Sequence, residues 1–140
     1  MYRLTTVLIT LCAITFTVLA APIRLSGTAT VSLEKRVTHT GEGTWFEVGD
    51  GACGNTDTDS DPVVAISAQI YGSGGNCNQW IEITNTDNGY TAYGQTRDEC
   101  ESCGSGSLDM SPSLFEKLST LDTGEIPISW HFMSKGWSPS

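Results

Sequence analysis

The sequence predicts a small, mainly β domain that closes into a barrel. Short apolar runs alternate with turns rich in Gly, Asn, Ser, Thr and Asp, which is typical of many short strands. One segment alone carries the signals of a helix. With 140 residues the chain has room for one domain. About six strands and one short helix favour a barrel over a helical bundle.

The predicted strands of the first half are separated by clear turn signals. Gly41 and Gly43 open the first strand, and a long polar loop follows it. Asn88-Gly89 is the strongest hairpin signal of the chain, and it joins two alternating segments. The strands are predicted at 44–48, 63–67, 80–84 and 90–96, with loops at 49–61 and 72–76.

The second half begins with a predicted loop at 97–107 and a short extended piece at 108–110. Ser111 as N-cap and Pro112 at the first helical position then predict the helix. Its apolar stripe is Leu114, Phe115 and Leu118. The last strand is predicted at 126–132.

The N-terminal 36 residues have the pattern of processing signals. Residues 1–20 read as a secretory signal peptide, with small residues before a cut after Ala20; a signal anchor is the alternative. Residues 21–36 end in the dibasic pair Lys35-Arg36 and are predicted to be a propeptide. The working protein is then the barrel domain at 37–140, secreted to the extracellular space and monomeric.

The charge of the chain excludes some partners. The net charge is −9, and residues 37–140 hold 3 Lys+Arg against 15 Asp+Glu, which gives −12. Such a surface disfavours nucleic acid and acidic membranes. It suits a neutral polysaccharide or a basic protein partner, and a merely solvated acidic surface is equally compatible.

The cysteine count fits an oxidising compartment. Cys12 lies in the signal peptide, which leaves an even number of cysteines in the domain, with three possible pairings. They are Cys53, Cys77, Cys100 and Cys103. Two disulfides are expected in a secreted domain of this size, rather than a zinc or redox site at the C-x-x-C pair. No metal and no cofactor is predicted.

An ordered set of motifs along the chain resembles one family. The motifs are Gly43-Thr44-Trp45-Phe46, Gly51-Ala52-Cys53-Gly54, Gly74-Gly75-Asn76-Cys77, the strand at 80–83, Thr96-Arg97-Asp98, and the segment from Leu108-Asp109-Met110 to Phe115. Together they resemble the expansin-related, barwin-like proteins, and among these the single-domain loosenins of fungi. Rare-lipoprotein-A-like domains and family-45 endoglucanases share that superfamily.

This resemblance implies a fold and a set of site residues. The fold is a six-stranded double-psi β-barrel with one short helix, stapled by disulfides Cys53–Cys77 and Cys100–Cys103. Asp109 corresponds to the groove aspartate, the general acid of the endoglucanases, although a mere helix cap is the alternative. Asp98 and Thr44 correspond to further groove residues; for Asp98 the alternative is a turn residue. The family tyrosine two residues after Asp98 is Cys100 here.

Aromatic side chains supply flat surfaces on which sugar rings stack. Trp45 and Tyr71 are predicted to bind substrate in this way, whereas Trp80 and Trp130 are assigned to the core. His39 is predicted to be disordered near the new N-terminus.

The resemblance favours a protein that binds cellulose or chitin and loosens it without hydrolysis. Inverting hydrolysis needs a second carboxylate as base, and Glu47 is the candidate if the protein is an endoglucanase. A cysteine-protease inhibitor acting on papain-like enzymes through loops 49–61 and 72–76 is the other alternative.

Overall fold

Six strands form a closed barrel in the part of the chain that the computed structural model describes, residues 36–140. Going round the barrel, their order is β1-β5-β2-β4-β3-β6. The strands are β1 (His39–Trp45), β2 (Val63–Ser67), β3 (Trp80–Asn85), β4 (Thr91–Cys100), β5 (Leu108–Met110) and β6 (Ile126–Phe132). The mainly β, six-stranded barrel predicted from the sequence is confirmed. The predicted signal peptide and most of the predicted propeptide lie outside the described residues.

The helices differ in number from the prediction. Two four-residue helices are present within residues 36–140, α1 (Ala68–Tyr71) and α2 (Pro112–Phe115), together with a 3-10 turn at Leu121–Thr123. Only α2 was expected, because α1 is a single turn between strand β2 and a glycine-rich loop and has no amphipathic stripe to reveal it. No helix of the described residues is long and apolar enough to cross a membrane.

Strands β1 and β4 differ in extent from the predicted strands. Strand β1 runs from His39 to Trp45 rather than over 44–48, because residues 39–43 pair with β6. Gly41 lies so close to the backbone of Gly106 that there is no room for a Cβ. Gly41 is thus required by close backbone packing, although the sequence analysis interpreted it as the start of the strand. Strand β4 runs on to Cys100 through part of the predicted loop. His39 is ordered, since its ring stacks on Trp130 with centroids 4.3 Å apart.

The core fills the barrel and includes side chains from the segment around α2. Leu114, Phe115 and Leu118 are all fully buried, as the predicted apolar stripe requires. Trp130 is also buried, whereas Trp80 lies half-buried on the outer face, 6.5 Å from Trp137 between ring centroids. Strict alternation along β3 puts Ile81 and Ile83 inside and therefore Trp80 outside.

Both disulfides implied by the family resemblance are present. Cys53–Cys77 joins the loop after β1 to the loop before β3, with Cα atoms 5.5 Å apart. Cys100–Cys103 closes a tight turn at the end of β4. The first bridge therefore links two distant loops, and the second one fixes a local turn.

Candidate functional site

One transverse row of residues carries the candidate site across four neighbouring strands. Thr44 on β1 is the partner of Asp109 on β5, and Asp109 is in turn the partner of Ala65 on β2. Ala65 is also the partner of Asp98 on β4. Directly paired residues share one face of a sheet. Because the flanking Leu108 and Met110 are buried in the core, this row lies on the outer face of the barrel.

A β-bulge in strand β4 brings Asp98 into this row. Val64 pairs with Thr96, but the next residue, Ala65, pairs with Asp98 and skips Arg97. Without the extra residue, Arg97 would stand opposite Ala65 and would put a guanidinium in this row. Because of the bulge, the carboxylate of Asp98 lies in the row and the guanidinium of Arg97 does not.

Asp109 is a half-buried carboxyl with a fixed partner. Thr44 donates a hydrogen bond from Oγ1 to Asp109 Oδ1 at 2.9 Å. Burial raises the pKa of Asp109 above its usual value, and the bonds from Thr44 and from the Met110 backbone N–H oppose that rise. An acid with a raised pKa keeps its proton to a higher pH, which suits a group that donates a hydrogen bond or a proton.

The alternative of a helix cap does not describe Asp109. Helix α2 has Ser111 as its N-cap, as predicted, but no side-chain capping bond is made there. Ser111 instead donates from Oγ to the carbonyl oxygen of Asp61 at 2.6 Å. The carboxyl of Asp109 is therefore left to the outer face of the barrel.

Removing the Thr44 hydroxyl should raise the pKa of Asp109 further. In Thr44→Val the hydrogen bond that favours the ionised form is lost, while the burial that disfavours it remains. A raised native pKa means that the folded state binds more protons than the unfolded chain between the unfolded and native pKa values. The free energy of unfolding therefore falls as the pH rises through that window, and the window widens in the variant.

A carboxyl-detected NMR titration of Asp109 measures this effect. The matched control is Thr84→Val, which removes a threonine hydroxyl bonded to Thr91 on another part of the barrel. We expect an upward shift only in Thr44→Val. An unchanged or lowered Asp109 pKa in that variant would show that the Thr44 bond does not govern the carboxyl.

Asp98 is held by the backbone of a neighbouring loop. Its Oδ1 accepts hydrogen bonds from the backbone N–H of Ala52 and of Glu99, each at 2.8 Å. Tyr71 donates from its hydroxyl to the carbonyl oxygen of the same Ala52 at 3.1 Å. Gly51 approaches the Arg97 carbonyl so closely that a Cβ would lie 2.4 Å from the oxygen. Tyr71 thus supports the loop that orients Asp98.

Three of the four residues of this row line an open cleft of about 400 Å³. Both predicted aspartates, Asp98 and Asp109, line it, with Thr44 bonded to Asp109 beside it. The rim at the end of β4 contains the Cys100–Cys103 turn. The lining residues are Phe46, Ala65, Asp98, Glu99, Cys100, Glu101, Ser102 and Asp109.

Phe46 is the aromatic residue of the cleft, and the sequence did not single it out. Trp45 and Tyr71 do not line the cleft. Thr44 and Phe46 lie on the outer face, so alternation turns Trp45 towards the 3-10 turn, where its Nε1 donates to the Leu121 carbonyl oxygen at 3.1 Å. The signal that could have found Phe46 is its position two residues after Thr44. A sugar-binding role for Trp45 and Tyr71 stays a prediction.

Glu47, the candidate base, lies apart from this cleft. Its side chain is exposed and is not among the lining residues, whereas Asp109 is half-buried and lines the cleft. Within residues 36–140 no group of three or more His, Cys, Asp or Glu side chains is arranged to hold a metal ion.

No protein-family model matches the chain. It is 34% identical over 101 residues to the papain inhibitor of Streptomyces mobaraensis, covering 67% of this chain and 71% of that protein. A solved Streptomyces papain inhibitor has a TM-score of 0.64 at 32% identity, over 69% of this chain and 94% of that one. The chain belongs to the barwin-like, expansin-related family.

A bacterial member of the family has been solved with a glycan. A mutant Clavibacter michiganensis expansin in complex with cellohexaose has a TM-score of 0.65 at 25% identity, covering 74% of this chain and 54% of that chain. The double-psi barrel predicted from the family resemblance is confirmed by these neighbours.

Some relatives are much longer than this chain. An Asp f 7 allergen homolog of Arthroderma benhamiae is 34% identical over 82 residues, covering 56% of this chain and 28% of that protein. The barwin-like domain is therefore one part of such proteins.

Proposed function

We propose that this protein is a secreted, expansin-like protein that binds cell-wall polysaccharide in the cleft over Asp98 and Asp109 and loosens it without hydrolysis. The observation that carries the proposal is the row Thr44–Asp109–Ala65–Asp98, which places two oriented carboxyl groups in an open cleft. The 37–140 domain is the working unit, after removal of the signal peptide and propeptide, and the two disulfides fit an oxidising compartment.

The cleft contains side chains that can bind a glycan chain. Carboxyl oxygens accept hydrogen bonds from sugar hydroxyls, and the Phe46 ring offers a surface for the apolar face of a pyranose. Ala65, with its small side chain, lines the cleft between the two aspartates. The family member solved with cellohexaose supports a β-1,4-linked chain as the ligand class. Cellulose and chitin both have that linkage.

The arrangement favours binding without cutting. An inverting glycosidase pairs its acid with a base across about 6.5–9.5 Å, leaving space for a water molecule. The predicted base, Glu47, is exposed and does not line the cleft with Asp109. Asp98 does line it, but its Oδ1 already accepts two backbone N–H bonds, and strand β2 lies between its strand and that of Asp109. An endoglucanase using Asp109 and Glu47 is therefore less favoured.

Inhibition of papain-like proteases is the second candidate function. The similarity to the Streptomyces papain inhibitor extends over 94% of that solved chain. Loops 49–61 and 72–76, predicted as the inhibitory surface, are held near each other by the Cys53–Cys77 disulfide. A bridged pair of loops is a rigid surface, which lowers the cost of ordering on binding.

Two assays together separate the candidate functions: co-sedimentation with insoluble cellulose and chitin, and inhibition of papain. We expect the 37–140 domain to sediment with polysaccharide and to leave papain active. Strong papain inhibition without sedimentation would reverse the assignment.

Phe46→Ala should weaken polysaccharide binding about fivefold, because the loss of one stacking ring costs about 1 kcal/mol. Trp45→Ala is the comparison variant, because Trp45 is predicted to stack on a sugar ring and is 36% exposed, but lies outside the cleft. Sedimentation isotherms of both variants measure the difference. A larger loss in Trp45→Ala would place the binding surface on the Trp45 side of β1.

A further inference from the structure

Negative charge is concentrated at the cleft. Besides the two aspartates of the row, Glu99 and Glu101 line it, so four of its eight lining residues are acidic. Neither glutamate side chain makes a hydrogen bond to another described residue, and both bonds to Asp98 end on Oδ1. These carboxyl oxygens are available to a ligand.

No cation of the described residues neutralises this charge. Arg97 is held away by an ion pair with Asp57 at 3.1 Å and by a hydrogen bond to Asn78. Arg36 lies beside the His131 ring and Lys135 near the Gly75 carbonyl oxygen. Neither of these nor Lys117 lines the cleft. Arg97–Asp57 is the one ion pair found within residues 36–140. A ligand must therefore supply any countercharge.

We propose that the cleft selects a cationic amino-sugar chain, β-1,4-linked glucosamine as found in partly deacetylated chitin, over a neutral β-1,4 glucan. This inference rests on the proposed function and names its substrate class. Two independent features point to a saccharide rather than to any cation: the Phe46 ring in the cleft, and the cellohexaose held by a solved family member. Glucosamine keeps the same linkage and ring shape and replaces one hydroxyl by an ammonium.

An ammonium on the ligand gains more here than a hydroxyl does. Charge-assisted hydrogen bonds to carboxylates are about twice as strong as neutral ones. Burial raises the pKa of Asp109, so this carboxyl ionises less readily than an exposed one. A bound ammonium would favour its ionised form. An acetylated amine carries no charge, so fully acetylated chitin loses this advantage.

Isothermal titration of the 37–140 domain with three hexamers tests the inference: glucosamine, N-acetylglucosamine and glucose, all β-1,4-linked. At about pH 5, ordinary carboxyl groups are ionised and the free amine is protonated. We expect the glucosamine hexamer to bind at least about tenfold tighter than the other two, and about 0.5 M NaCl to reduce this preference, because salt screens exposed charges.

A matched pair of double variants separates the cleft from the general acidity of the surface. Glu99→Gln/Glu101→Gln removes two charges at the cleft, and Glu116→Gln/Glu125→Gln removes two exposed charges elsewhere. We expect only the first to abolish the preference. Equal losses in both variants, or equal affinity of the unmodified domain for glucosamine and glucose hexamers, would overturn the inference and leave polysaccharide binding intact. Binding of none of the hexamers would instead contradict the proposed function.

Discussion

Replacing Trp130 by Ala should destabilise the barrel by about 4 kcal/mol, which lowers the melting temperature by about 20 °C in a domain of this size. Trp130 is 1% exposed, and its ring stacks on His39 of the neighbouring strand. Its Nε1 donates to the Gly106 carbonyl oxygen at 2.7 Å, which ties the loop before β5 to β6. The substitution removes the ring, the stack and this bond together.

Urea denaturation followed by circular dichroism measures the loss. Tyr90→Ala is the control, because Tyr90 is 63% exposed and its truncation should cost less than about 0.5 kcal/mol. Trp130→Phe keeps an aromatic ring but leaves the Gly106 carbonyl without its donor, and should cost about 1–2 kcal/mol. A loss below about 1 kcal/mol in Trp130→Ala would show that this residue does not anchor the core.

Removing the Cys53–Cys77 disulfide should cost about 3 kcal/mol and about 15 °C in melting temperature. The bridge spans a sequence separation of 24 residues, so its loss frees a long segment of the unfolded chain. It also holds the loop whose Ala52 N–H orients Asp98, so polysaccharide binding should fall as well. Thermal unfolding of Cys53→Ser/Cys77→Ser gives the stability change.

Removing the second disulfide should cost less stability than removing the first. Cys100–Cys103 has a sequence separation of 3, and the chain-entropy relation gives about 1.5 kcal/mol for so short a loop. Cys100→Ser/Cys103→Ser should therefore melt above Cys53→Ser/Cys77→Ser. The reverse order would mean that the tight turn at the cleft rim contributes more than loop closure alone.

The fold was largely predictable from local signals. The Asn88-Gly89 hairpin, the Ser111-Pro112 helix start and the alternation of β3 all depend on neighbours along the chain. Strand β1 differs from the predicted strand because residues 39–43 pair with β6, which is distant in the chain. The extension of β4 was missed because its bulge depends on pairing with β2. Contacts between residues far apart in the chain leave no local sequence pattern from which to predict strand boundaries.

The residues of the candidate site were predictable, but their geometry was not. The family resemblance brought Thr44, Asp98 and Asp109 forward, and the structure gathers these three in one row. Phe46 and Trp45 are adjacent in sequence, and only the register of β1 decides which one faces the cleft. Tyr71 contacts the candidate site only through the Ala52 peptide, since its hydroxyl donates to the Ala52 carbonyl oxygen. The spacing of residues in the sequence does not predict this contact.

Polysaccharide loosening without hydrolysis is tested most directly by measuring reducing-end release and mechanical softening together. The 37–140 domain and its Asp109→Asn variant are incubated with amorphous cellulose and with chitin. The expected result is sedimentation and softening by the unmodified domain, loss of softening in Asp109→Asn, and no reducing ends above the blank from either protein. Reducing ends that appear with the unmodified domain and vanish in Asp109→Asn would contradict the proposal and make the protein a hydrolase.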